Sequence, residues 1–497
     1  MKRNCSVSLI LVLFILLVGC EDFQTSVENL NEPSSALVHS NPDHFPDIID
    51  DSYLKFWQSI QLATPSYPIT VMAQGGTSSW GGWGTRDVGT IPRQHFDNSE
   101  SYINKGLFLG PWVKLYGAIN PVNDILRLIN QGEVIVLGDN GQDITSQIIA
   151  NAKALQGLAL GYLSLLYDQA FIGDEYTVIT NEVLLSDYTT VNKAAIAKLE
   201  EAILLFENSE FKMTGWNGLI YEGNDAASLL KGFVAKFEVV KARNSAELSQ
   251  IDWNKVLINT SGGLVDLAPV GDGQFWYSRM LIQGQFPQRY RVSQKVIRMM
   301  NTNKPMDEVP YPWPDDVVTL PEIENPNDQR MISDFTYNAT VPFVRARGYY
   351  FFSSYHYSRY NAFIENNLLG PMNFLTVPEL ELLRAEALVR TNGDRTVAAS
   401  IINKTRVARG GLSPMTGRES DEDLLESIAY ERIVEFTWEG SCNVWFYRRM
   451  ITPTDNMDSD NLYYLEPRTA RHFPVPAEEL SFLGMDVYTF GGDKANQ

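Results

Sequence analysis

Three glutamates, Glu431, Glu435 and Glu439, recur four residues apart near the end of the chain, a spacing that places them on one helix face. Grouped carboxylates invite a glycosidase reading, but that chemistry needs acids that flank a bond from two sides of a cleft. One helix face cannot supply that. Arg406, Arg409, Arg432, Arg448 and Arg449 are close in the chain, and their guanidinium forks would pair with these acids into a packed ionic network. The histidines, His39, His44, His95, His356 and His472, are scattered, with no pair at metal-ligand spacing. No H-E-x-x-H, Walker loop or dinucleotide glycine fingerprint occurs. Gly75-Gly76 and Gly81-Gly82 sit beside tryptophan rather than lysine, a poor setting for phosphate. Cys442 lacks a local histidine and reads as a buried filler. The expectation is therefore a protein with no catalytic residue, no metal and no cofactor.

The more promising chemistry lies in aromatic rings within turn-rich segments. Flat rings stack on the C–H faces of sugars, while Asn, Gln, Asp or Arg bind the hydroxyls. The stretch Gln74 to Asp87 holds both kinds, with glycines around Trp80 and Trp83 that leave the indoles uncrowded, and Arg86 close by. Gln274-Phe275-Trp276-Tyr277 and Tyr311-Pro312-Trp313-Pro314 offer further rings, the latter held in a low-entropy loop by proline. Candidate ligand contacts are thus Trp80, Trp83, Arg86, Trp276, Tyr311 and Trp313. The alternative for each ring is that it pins its loop to the body of the protein.

That body reads as helical. Leu115, Tyr116, Ile119, Val122, Ile125, Leu126 and Ile129 form one apolar stripe at helical spacing, with Pro121 expected to kink it. A second stripe, Ile148 to Leu166, is interleaved with Gly157 and Gly161, which predicts close helix packing. Ile196, Leu199, Ile203 and Phe206 make a third, and Leu229, Leu230, Phe233, Phe237 and Val240 a fourth. Thr376 opens a further helix with a capping-box spacing to Glu379. Asp394 opens the next, which Gly410-Gly411 should end. Another runs from Ser420 or Asp421 to Gly440, with Leu425, Ile428, Ile433 and Phe436 inward. Paired helices rich in Ala and Gly predict a mainly α fold, a stack of helical hairpins of tetratricopeptide type. Stacking lets the chain grow as one unit, so residues 46–497 are read as a single domain. Long irregular stretches, 64–100, 262–290 and 301–350, would carry the ligand-binding face.

The start of the chain sets a location. Lys2 and Arg3 precede an apolar run that stops at Leu17-Val18-Gly19-Cys20, a secretory pattern too short for a permanent membrane span. Leu-x-Gly-Cys resembles a bacterial lipoprotein signal, so residues 1–19 are expected to be removed and Cys20 lipidated. The alternative is an ordinary secreted protein with a chance cysteine. Residues 20–45, rich in Asn, Ser, Pro and Asp, read as a lipidated tether. Losing Lys2 and Arg3 takes the formal charge from −20 to −22, which argues against nucleic acid as a partner. With Cys5 removed and Cys20 acylated, Cys442 is alone, so no internal disulfide can form.

Several segments together are similar to the SusD/RagB family of outer-membrane nutrient-binding lipoproteins. Trp112, Tyr116, Ile119 and Asn123 match its W-x-x-x-Y-x-x-I-x-x-x-N helix, and Ala152 to Tyr167 its next helix. Asn327-Asp328-Gln329-Arg330 stands at its D-P-R site, with Gln329 in place of Pro, and Ala385-Glu386-Ala387 at its A-E-A helix. Ile402 to Arg406 running into Gly410-Gly411-Leu412, then Glu431 to Gly440, then Phe473 to Leu480 complete the series in order. After Glu439-Gly440, Ser441-Cys442-Asn443 departs from the usual basic or aromatic residue. The resemblance implies a lipid-anchored, surface-exposed outer-membrane protein that captures oligosaccharides for a SusC-like TonB-dependent transporter. A peptide-binding lipoprotein of the same transport system, or a transporter lid without its own ligand, are the alternatives.

Overall fold

The computed structural model describes residues 41–62, 65–78, 80–132, 134–177, 184–301, 321–339, 352–439 and 442–492. The leader, Cys20, most of the tether, Tyr311 and Trp313 lie outside the described residues. Each apolar stripe read from the sequence forms a helix. Gly106–Asn130 carries both Pro111 and Pro121 within its span and buries Leu115, Ile119, Val122, Ile125 and Leu126. Thr145–Leu166 packs against it on one side and against Tyr188–Phe206 on the other, and Tyr188–Phe206 packs in turn on Gly223–Val240.

The small residues of Thr145–Leu166 set how near these neighbours come. A Cβ added at Gly161 would lie 2.0 Å from the Phe237 ring, and one at Gly157 would lie 2.6 Å from Leu199. Either substitution would push helices apart, and overpacking of this kind costs about 1–3 kcal/mol. Trp253–Thr260 lies against both Gly223–Val240 and Val377–Arg390, so the stack continues without a break into the C-terminal helices. There Thr376 accepts the Glu379 N–H, Asp394 caps Arg395–Arg406, and Ser420 with Asp423 forms a full capping box on Asp421–Glu435. The result is the helical-hairpin stack predicted from the sequence, with one continuous core. Short two-stranded antiparallel pairs are the strands found among the described residues. No helix among them is long and apolar enough to cross a membrane.

Some elements depart from the sequence reading. The helix expected to reach Gly440 ends at Glu435, where the Phe436 N–H closes it on the Arg432 carbonyl. Trp438 is then free to enter the core, 4.1 Å from the Tyr290 ring centroid. Leu425 is only partly buried, and Leu424 faces the core in its place. Inside the stretch read as irregular, Ser66–Met72 is a helix with every residue buried. Pro68 and the β-branched Ile69, Thr70 and Val71 make that helix poor by propensity, so burial decides its form.

Candidate binding face

The loop after Ser66–Met72 is positioned by backbone geometry before any side chain acts. Gln74 turns the chain at φ 55°, and Gly76–Ser78 pairs antiparallel with Tyr290–Val292, Thr77 opposite Arg291. Gly76 is required: a Cβ there would sit 1.3 Å from the Tyr290 hydroxyl oxygen. The Ser78 hydroxyl donates to the Arg289 carbonyl at 3.0 Å, and the Thr85 hydroxyl lies 2.6 Å from the Trp80 carbonyl and 2.9 Å from that of Gly82. Trp83 is left-handed at φ 56°, a conformation that costs an aromatic residue roughly 1–3 kcal/mol unless its surroundings fix it. Those surroundings are Tyr67, edge-on at 6.0 Å, and the Arg279 guanidinium, 5.1 Å from the ring centroid.

Facing this loop, the segment from Tyr277 to Arg289 supplies two arginines that lie over tryptophan rings. Arg289 is 3.7 Å from the Trp80 centroid and 5.0 Å from that of Phe286. Arg279 reaches from Trp83 to the Tyr277 hydroxyl, to which it donates at 3.0 Å. Trp80 is 44% exposed and Phe286 39%. Arg86 is exposed beside Gly81. The arrangement offers open aromatic planes interleaved with guanidinium donors, the chemistry that grips a polyhydroxylated ring.

Of the residues singled out by sequence, Trp80, Trp83 and Arg86 share this loop. Trp276 does not present a face: it is 7% exposed and packs on Trp57 at 5.6 Å and Trp216 at 6.3 Å. It pins its loop, while Asp272 accepts the N–H groups of Gln274, Phe275 and Trp276 and leaves Phe275 outward at 51% exposure. Sequence reasoning missed Arg279, Phe286 and Arg289. The signal for Phe286 and Arg289 was present in Gln285-Phe286-Pro287-Gln288-Arg289, an aromatic-basic run with a proline, which does not include Arg279.

The glutamate series belongs to a different setting. Arg330, fully buried, holds Asp328 at 2.6 Å, Glu431 at 2.7 Å and Glu435 at 3.2 Å. Burial opposes its charge, but the surrounding carboxylates outweigh that and hold the guanidinium well above its ordinary value. Arg409 adds a 2.8 Å contact to Glu435 and a 2.6 Å contact to Asp334, and Arg359 bridges Glu435 and Glu439. Burial raises the Glu439 carboxyl to about 7 against the pull of Arg359 and the Tyr360 hydroxyl. The ionic network expected from sequence is therefore real, with altered membership. Arg406 reaches only its edge, 4.0 Å from Glu431. Arg432 pairs with Glu386, and Arg448 and Arg449 bind backbone carbonyls. Cys442 is buried beside the Ser66 hydroxyl, and burial pushes its thiol up to about 12, which leaves it inert.

No protein-family model and no curated protein matches the sequence. Solved structures do match the fold. A SusD homolog from Bacteroides thetaiotaomicron VPI-5482 aligns over 92% of this chain and 99% of its own, at 14% identity and TM-score 0.60. A SusD superfamily protein from Bacteroides vulgatus ATCC 8482 covers 89% and 97%, at 14% identity and TM-score 0.56. A SusD-like carbohydrate binding protein from Bacteroides fragilis NCTC 9343 covers 89% and 98%, at 13% identity and TM-score 0.56. The resemblance read from short motifs thus extends to nearly the whole architecture: this chain has the fold of the SusD superfamily.

Proposed function

We propose that the protein is a non-catalytic, lipid-anchored glycan receptor at the outer-membrane surface, which captures oligosaccharides and passes them to a SusC-like TonB-dependent transporter. The observation that carries the binding half is the Trp80 face, an exposed indole backed by Arg289 and set in a loop held rigid by the Gly76–Ser78 strand pair. A preorganised ring loses little entropy on stacking. The fold supports the same reading, because neighbours with this architecture are described as carbohydrate binding. The sequence Leu17-Val18-Gly19-Cys20 supports the anchor, and a lipoprotein cysteine with several acyl chains holds a membrane firmly where one chain would not. The buried carboxylates argue against hydrolysis: Glu431 and Glu435 are tied to arginines inside the protein rather than facing a cleft.

Calorimetric titration with neutral plant, microbial and algal glycans tests the proposal. At least one should bind, and Trp80→Ala with Trp83→Ala should weaken it by about tenfold or more, the scale of one lost cation–π or stacking contact or more. Unchanged affinity in the double variant would remove the assigned face. Cleavage of the glycan by the purified protein would remove the non-catalytic reading.

A further inference from the structure

The charge of this chain is unevenly distributed. It carries 60 Asp and Glu residues against 40 Lys and Arg, yet residues 52–86 contain no acid and neither do residues 273–301. Those two stretches supply both sides of the Trp80 face. Asp87 follows the first directly, and its carboxylate accepts from the Tyr102 hydroxyl at 2.6 Å and the Asn104 amide at 3.2 Å. The acid-free stretches contribute three guanidinium groups to the face, from Arg86, Arg279 and Arg289.

Among the described residues none of the three has a carboxylate partner, and the Arg86 side chain makes no hydrogen bond. Arg289 meets the Trp80 and Phe286 rings, while Arg279 meets Trp83 and Tyr277 and donates once, to the Tyr277 hydroxyl. Arg86 stands beside the glycines between them, since a Cβ on Gly81 would lie 3.8 Å from its guanidinium carbon. Other arginines of the chain are answered from within: Arg330, Arg359 and Arg432 by carboxylates, Arg449 by carbonyls. A guanidinium only donates. The unused N–H groups of this face therefore call for an acceptor.

That donor set narrows what the face prefers. Sugar hydroxyls donate as well as accept, so a neutral ring is best met by amides or carboxylates beside the aromatic planes. A carboxylate or sulfate only accepts, and an arginine meets it with paired, charge-assisted bonds. The Trp80 ring, 44% exposed, at the same time calls for a flat C–H face, which a small free anion lacks. A nucleic acid has flat bases, but it is charged at every residue and would meet the field of a chain with net charge −20 beyond the face. On the reading of this face as a glycan site, we propose that it selects oligosaccharides bearing carboxylate or sulfate groups over the same sugars without them.

Calorimetric titration with matched pairs tests this: uronate oligosaccharides against their methyl esters, and sulfated galactans against their desulfated forms. At least one acidic form should bind about tenfold or more tighter than its neutral partner, the scale of one charge-assisted bond, and should weaken as salt is raised. Arg86→Gln with Arg289→Gln should abolish the preference. Arg86→Gln alone, at a side chain with no hydrogen bond to lose, should lower it by about two- to fivefold. The proposal is overturned if both members of every pair bind equally, if only neutral glycans bind, or if the preference survives in the double arginine variant. Each of those results leaves the Trp80 face standing as a glycan site. Tighter binding of oligodeoxythymidylate than of every acidic glycan would also overturn it, and binding of no glycan, charged or neutral, would remove both readings.

Discussion

Two arginine-rich regions of this protein differ in what their guanidinium groups face. Around Arg330, the partners are carboxylates in a dry interior, and the cluster joins the Arg330–Ser333 turn of helix to the Asp421–Glu435 helix. Around Trp80, the partners of Arg279 and Arg289 are aromatic faces that reach the surface. The first arrangement consumes the donors of its arginines and so builds scaffold. The second leaves N–H groups and ring planes together at the surface, available to a ligand.

Substitution can break this contrast in order of severity. Arg330→Met should have the largest effect, a loss of about 3–5 kcal/mol, because it strands Asp328 and Glu431 as buried carboxylates without their partner. Urea denaturation would read it, and a loss below about 1 kcal/mol would mean that water reaches the cluster. Next comes the pH response of Glu439. Its folded carboxyl sits at about 7 and its unfolded one near 4.3. From about pH 4.5 to 7 the folded state therefore keeps a proton the unfolded chain has lost, and this group's contribution makes stability fall as pH rises. His356, lowered to about 4 by burial and Arg291, pushes the other way between about 4 and 6.5. Glu439→Gln should remove the falling component, so the stability of the variant relative to the parent rises across that window. A constant difference would place Glu439 ionised throughout. The smallest effect sharpens the contrast from the other side: Trp80→Ala should change stability by no more than about 0.5 kcal/mol, whatever it does to affinity.

The helices were legible because their information is local. Thr376, Asp394 and Ser420 announce their helices within four residues, and the apolar stripes repeat along one segment. Ser66–Met72 was not legible, since its residues favour other structures and only burial imposes the helix. The site was legible in half. The glycine-flanked tryptophans mark one side, but the arginines that complete it come 196 residues after Trp83 and 209 after Trp80, and no spacing encodes that meeting. Arg330 and Glu431, 101 residues apart, were hidden for the same reason. Trp80 and Trp276 sit in similar company in the sequence, and tertiary packing alone sends one outward and the other into the core.

The pairing of Thr77 with Arg291 joins residues 214 positions apart, and this has a consequence for assembly. Closing so long a loop is entropically costly and slow compared with forming the hairpins between its ends. The tryptophan loop therefore takes its final shape only when residues 290–292 pair with it, after the helices that form locally between the two strands.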